Sequence, residues 1–119
     1  MRIINYNVEM DDNCIFCKIA KGEIPAEKIY EDDASVAFLD ISPKAPGHTL
    51  LIPKAHYQWF QDTPDDISDP LFRTAKSVAR DLKEKYAADY VRLSIVGTDV
   101  AHVHIHLIPQ KLAEKVQEI

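Results

Sequence analysis

The sequence predicts an α+β domain in which an antiparallel sheet packs against helices lying to one side. Three observations predict it. Two short β-type runs flank a tight turn early in the chain, one amphipathic helical stretch fills the middle, and two further β-type runs follow it.

The elements are justified in order along the chain. Residues 1–12 are mixed in character and end in Glu9, Asp11, Asp12 and Asn13, the composition of an N-terminal arm followed by a capping signal. Residues 14–21 suit a short helix closed by Gly22. Ile29-Tyr30-Glu31 and Ser35-Val36-Ala37-Phe38-Leu39 read as two strands around an Asp32-Asp33 turn. The two prolines and the glycine of Ser42-Pro43-Lys44-Ala45-Pro46-Gly47 mark a loop, because proline offers no N–H to a ladder. His48-Thr49-Leu50-Leu51-Ile52-Pro53 then reads as a buried strand. From Pro70 onward Leu71, Ala75, Val78, Leu82 and Tyr86 recur at spacings of three and four, while Arg73, Lys76, Arg80 and Lys83 fall between them, which makes an amphipathic helix. Residues 90–96 and 102–108 are the last strands, separated by a turn near Gly97-Thr98-Asp99, and residues 111–119 have helical propensity.

Composition bounds the function. At 119 residues with 46% apolar content, the chain supports one core, so residues 13–119 are expected to form a single domain. Pro53 and Pro109 interrupt the longest apolar stretches well short of a membrane span, and the first residues turn polar too soon for a secretory signal. A cytoplasmic protein without membrane contact is expected. The net charge of -5 opposes extended nucleic-acid binding, which needs clustered Lys and Arg. A small phosphorylated ligand remains allowed, held by directed backbone N–H groups and imidazoles.

The segment with the most chemistry is His102-Val103-His104-Ile105-His106. In a strand, alternate side chains share a face, so the three imidazoles line one wall while Val103, Ile105 and Leu107 face the core. Three readings follow: solvated positions of a half-buried strand, one metal shared by all three rings, or nucleophilic catalysis. Three of the chain's five histidines at strict two-residue spacing weigh against the first. The second is awkward, since same-face residues are about 6.6 Å apart and the outer rings would lie roughly 13 Å apart. A neutral imidazole, by contrast, is a competent nucleophile whose other nitrogen can be locked by a hydrogen bond.

Cys14 and Cys17 supply half of a tetrahedral zinc site, and two imidazoles would complete it, with His48 and His56 spare beside the triad. A redox role is weaker, because no βαβ pattern surrounds the pair. Asp40 ends a strand, where a carboxylate either accepts ribose hydroxyls or begins an Asx-turn; taken alone, the turn is favoured. Phe16 and Phe38 suit either a base-binding sandwich or plain core. Trp59 receives no role.

Taken together, Cys14-Ile15-Phe16-Cys17-Lys18-Ile19, Glu23-Ile24-Pro25-Ala26, Glu31-Asp32-Asp33, the run from Ala37 to Pro43, the block from His48 to His56 and the triad resemble the histidine triad (HIT) family in order and spacing. The likeness covers roughly residues 13 to 110 and is nearest the branch of small nucleotide-binding phosphoramidases and dinucleoside polyphosphate hydrolases. It implies a HIT-like fold: a five-stranded antiparallel sheet with one long helix and short flanking helices, paired as a homodimer across a helix and a strand. It implies a hydrolase or nucleotidyl transferase in which His104 attacks the α-phosphorus of a nucleotide, with His106 and His48 beside the phosphate. Asp40 would take the ribose hydroxyls, and Ile15, Phe16, Phe38 and Ile41 would surround the base, a purine. The implied ligands of a structural zinc are Cys14, Cys17, His56 and His102, and no organic cofactor is implied.

One departure stands out. Many members carry an asparagine and a Gly-Gln pair in the turn before the triad, where this chain has Val96-Gly97-Thr98-Asp99. Thr98 is expected to donate to a phosphate oxygen, whereas an ionised Asp99 would repel it. The loss of the amides motivates an alternative: a non-catalytic nucleotide-sensing module that keeps the fold and the zinc.

Overall fold

The computed structural model describes residues 13–112, so the expected N-terminal arm and nearly all of the C-terminal tail lie outside the described residues. Helix α1, Ile15–Lys21, begins where Cys14 Sγ accepts the Cys17 N–H at 3.3 Å and ends at Gly22, whose φ of 82° closes the helix. Strands β1 (Lys28–Glu31) and β2 (Ser35–Leu39) form the first hairpin. Its turn is built by Asp32, whose Oδ1 accepts the N–H groups of Ala34 and Ser35, each at 2.8 Å. Strand β3 (Thr49–Pro53) leads through a 3₁₀ turn at Phe60–Asp62 into helix α2, Asp65–Lys85, and strands β4 (Tyr90–Ile95) and β5 (Ile105–Gln110) complete the fold. Among the described residues no helix is long and apolar enough to cross a membrane.

All strand pairs are antiparallel, and the order is β1-β2-β3-β5-β4. The five-stranded α+β architecture is therefore the expected one, but the helices divide between the two faces. Helix α1 packs with Val36, Phe38, Leu50 and Ile52, whereas Leu71, Ala75, Val78 and Leu82 of α2 pack with Ala37, Leu51, Ile105 and Leu107. The cause lies in β2 and β3, which are apolar at successive positions and so need cover on both sides.

Two boundaries differ from expectation. Helix α2 starts at Asp65 and runs through Pro70, with Asp65 and Asp66 favourably placed at its positive end. Strand β5 starts at Ile105, so His102 and His104 precede the ladder. Continuing the β3–β5 register would set Pro53 opposite Val103, and proline has no N–H to give. The Val103 N–H turns instead to the Tyr57 carbonyl at 2.6 Å. Even so, the alternation survives, with Val103, Ile105 and Leu107 in the α2-side core.

Candidate functional site

The i, i+3 spacing of Cys14 and Cys17 sets both thiols on one side of the first turn of α1. His56, in the loop after β3, and His102 approach from the sheet. Cys14 Sγ lies 3.3 Å from His102 Nδ1, Cys17 Sγ lies 3.1 Å from His56 Nδ1 and 3.5 Å from His102 Nδ1, and the two Nδ1 atoms are 3.2 Å apart. Tetrahedral zinc with bonds of about 2.3 Å to sulfur and 2.0 Å to nitrogen requires S···N edges near roughly 3.5 Å and N···N edges near roughly 3.3 Å. The donors fit that figure. His102 Nε2–H donates to the Pro53 carbonyl at 2.8 Å, which leaves Nδ1 as the nitrogen turned to the thiols. Burial, followed by the neighbouring His56 and His104, lowers the His102 pKa to about 4 despite the Pro53 bond, so its ring is neutral as a metal ligand requires. These four residues therefore form a zinc-type centre.

The second cluster adjoins the first through the backbone. His104 Nδ1 lies 2.7 Å from the His102 carbonyl; since a carbonyl only accepts, Nδ1 carries the proton and Nε2 keeps its lone pair. His104 is 1% exposed, and its buried Nε2 has no hydrogen-bond partner among the described residues. Asp99 Oδ1 stands 3.3 Å away without the alignment of a hydrogen bond. The Phe16 and His106 rings each meet the His104 ring at 5.0 Å between centroids, edge-on.

The pairing of Leu50 with His106 in the β3–β5 ladder sets His48 beside His106. His48 Nδ1 accepts the Lys44 backbone N–H at 3.1 Å, so its proton resides on Nε2, which lies 3.0 Å from His106 Nδ1 and 3.5 Å from Asp40 Oδ2. The chain of donors thus runs from Lys44 through His48 to His106, and His106 carries its own proton on Nε2. Burial is the main cause lowering the pKa of both rings; Lys44 adds to it at His48, and His104 and His48 add to it at His106, against the raising influence of Asp40 on both. Both stay neutral at pH 7.

His104 and His106 line a cleft of about 470 Å³. Its walls include Ile15, Phe16, Phe38, Asp40 and Ile41, together with His104 and His106. Phe16 and Phe38 meet edge to face at 5.7 Å. Asp40 makes the expected Asx-turn, its Oδ1 accepting the Ser42 N–H at 2.8 Å, and the residue also lines the cleft. His48 stands behind His106 and outside the lining. Thr98 is exposed and also outside it, and Asp99 from the same turn takes that place. Sequence reasoning assigned no role to Ile24, Pro25, Glu27 and Leu50, which also line the wall; the stretch around Pro25 is visible as a motif without a position. Trp59 acquires a role in supporting the turn before the triad, because Gly97, at φ 101°, brings its backbone against the indole and against the Gln58 carbonyl.

Comparison with known proteins matches this geometry. The HIT domain signature covers residues 21–113. An uncharacterized HIT-like protein of Methanocaldococcus jannaschii is 44% identical over 101 residues, spanning 82% of this chain and 78% of that protein. The adenosine 5'-monophosphoramidase of Saccharomyces cerevisiae is 44% identical over 103 residues, spanning 86% of this chain and 65% of the relative. Among solved structures, a Zn-bound histidine triad family protein from Mycobacterium smegmatis superposes with a TM-score of 0.80 at 35% identity, covering 87% of this chain and 78% of that one. With a family signature across residues 21–113 and a relative 44% identical over 101 residues, the chain belongs to the histidine triad (HIT) family.

Proposed function

We propose that this protein is a nucleotide hydrolase or nucleotidyl transferase that cleaves nucleoside phosphoramidates or dinucleoside polyphosphates at the α-phosphorus through a covalent nucleotidyl-histidine intermediate. One observation carries the reading: a buried imidazole nitrogen, Nε2 of the cleft-lining His104, that in the neutral ring bears a lone pair and has no hydrogen-bond partner among the described residues.

In the proposed reaction the Nε2 lone pair forms a bond to phosphorus as the bond to the leaving group breaks, and the departing atom takes the electron pair. The His102 carbonyl holds the opposite nitrogen's proton and stabilises the positive charge that develops on the ring. His106 Nε2–H, set by the His48 donor chain, supplies a hydrogen bond to a phosphate oxygen. Water then attacks phosphorus and the pair returns to His104; a second acceptor in place of water gives transfer. Asp40 receives ribose hydroxyls, and Ile15, Phe16, Phe38 and Ile41 enclose the purine. The zinc-type centre supplies architecture when loaded, tying α1 and the loop of His56 to the segment that positions His104.

Rapid denaturation at alkaline pH, where a phosphorus–imidazole bond survives, during turnover of an adenosine phosphoramidate labelled in its nucleotide part tests the mechanism: label should remain on the protein and disappear in His104→Ala. Tight binding of adenosine monophosphate with neither trapped label nor product would favour the nucleotide-sensing alternative, for which the carboxylate of Asp99 beside His104 is the supporting observation. A homodimer is also part of this reading, supported by the outermost position of β4 and by Leu93 and Val96, which are 46% and 54% exposed beside its open edge.

A further inference from the structure

Among the described residues, the wall of the cleft carries three carboxylates, Glu27, Asp40 and Asp99, and no lysine or arginine. That is an unusual balance for a phosphate site, and one of the three stands at the reacting atom. Asp99 Oδ1 lies 3.3 Å from His104 Nε2, and its own turn holds it there, because the same oxygen accepts the Val100 N–H at 3.0 Å. The side chain is 64% exposed while the residue lines the cleft, so its carboxylate is open to solvent and to a ligand held at His104.

We propose that Asp99 selects the leaving group by charge, favouring an amine and opposing an anion such as a second phosphate chain. This inference rests on the functional reading above and narrows its substrate class. A substrate cleaved at the α-phosphorus brings that phosphate's negative charge in any case. A polyphosphate leaving group adds further negative charges within a few ångströms of a fixed carboxylate, where the described wall offers no lysine or arginine to offset them. An amine adds none, and its N–H groups are donors that a carboxylate oxygen accepts. Specificity of this kind works through what the site rejects as much as through what it holds.

The chemistry balances without another reagent. As His104 Nε2 bonds to phosphorus, the P–N bond of the substrate breaks and its electron pair goes to the leaving nitrogen. That nitrogen takes a proton from solvent and departs as an amine, which protonates to an ammonium at neutral pH beside Asp99. Water then adds to phosphorus, the P–Nε2 pair returns to His104, and the nucleoside monophosphate leaves with release of one proton.

The test compares kcat/KM of the zinc-loaded full chain on an adenosine 5'-phosphoramidate of a basic amine with that on diadenosine tetraphosphate. The parent should prefer the phosphoramidate. In Asp99→Asn the ratio should move toward the polyphosphate by about tenfold or more, with the shift shrinking as salt rises, and Asp99→Glu should restore the parent's preference. A salt response and rescue by glutamate separate the charge from a merely structural role. If the parent cleaves both substrates and Asp99→Asn leaves the ratio within about twofold, the filter is overturned and the functional reading stands. If the parent cleaves neither, both are overturned.

Discussion

His102 and His104 are joined by a single hydrogen bond that links two chemistries: the His102 carbonyl accepts the His104 Nδ1–H at 2.7 Å, while the His102 ring faces the thiols of Cys14 and Cys17 at 3.3 and 3.5 Å. The residue that orients the His104 ring thus also belongs to the group of Cys14, Cys17, His56 and His102, whose donor atoms could hold a metal ion. Ring and carbonyl belong to one residue, so displacement of either is felt by both.

Metal removal is the first consequence. Purified protein should hold one zinc per chain by elemental analysis, and Cys17→Ser should hold about a tenth of that or less. Chelation should lower the melting temperature by several degrees and reduce kcat more than affinity for adenosine monophosphate. Unchanged melting after complete zinc removal would contradict a structural role.

His104→Ala should lower turnover by about 10³-fold or more while changing nucleotide affinity by less than about threefold, because the ring's assigned task is covalent rather than adhesive. Stopped assays combined with calorimetry would check both halves. Equal losses in binding and turnover would point to a collapsed cleft instead.

His48 reaches the chemistry only through His106, so it is a positioning residue. His48→Ala should reduce kcat by about 10- to 100-fold with little effect on KM, and His48→Gln, whose amide N–H can replace the donor to His106 Nδ1, should recover part of the loss. A purely structural effect would not follow the donor in this way.

Protonation of this pair gives a pH prediction with a definite sign. The pKa values of His48 and His106 both lie below the ordinary imidazole value of 6.5, chiefly through burial, so folding favours their neutral forms. Their contribution to stability is complete above pH 6.5 and is lost as pH falls through the lowered values. Histidine NMR titration should find both rings neutral at pH 6.5. Asp40→Asn should push both transitions lower still, since Asp40 acts to raise them. Titration of either ring above 6.5 would refute the assignment.

Gly97→Ala should cost about 1–3 kcal/mol, because φ is 101° and a Cβ would meet the Gln58 carbonyl at 3.0 Å and the Trp59 ring at 3.3 Å. The turn carrying Asp99 would shift with it, so leaving-group preference should weaken alongside stability.

The two clusters were legible because their signals are local. A C-x-x-C on a helix and alternate histidines in extended chain each place side chains through backbone geometry alone. Tertiary pairing decided the rest. Nothing in the local pattern shows that Pro53 ends the β3–β5 ladder, leaving His102 and His104 outside the strand, or that both faces of β2 and β3 are covered. Thr98 and Asp99 are adjacent polar residues of one turn, and only the twist at Gly97 decides which of them faces the cleft. Likewise, Ile24 and Glu27 join the wall because the chain leaving α1 returns past Phe38 to enter β1, a path set by the sheet.

The strand order has a consequence for the biosynthesis of the site. His48 and His106 are 58 residues apart, and His102 is 88 residues from Cys14, yet each pair is in contact because the last strand made inserts between β3 and β4. A nascent chain still lacking residues 102–106 has neither the His102 that meets the two thiols nor the His104 and His106 that border the cleft. The contacts of both histidine clusters with the earlier part of the chain therefore form together, when β5 docks between β3 and β4.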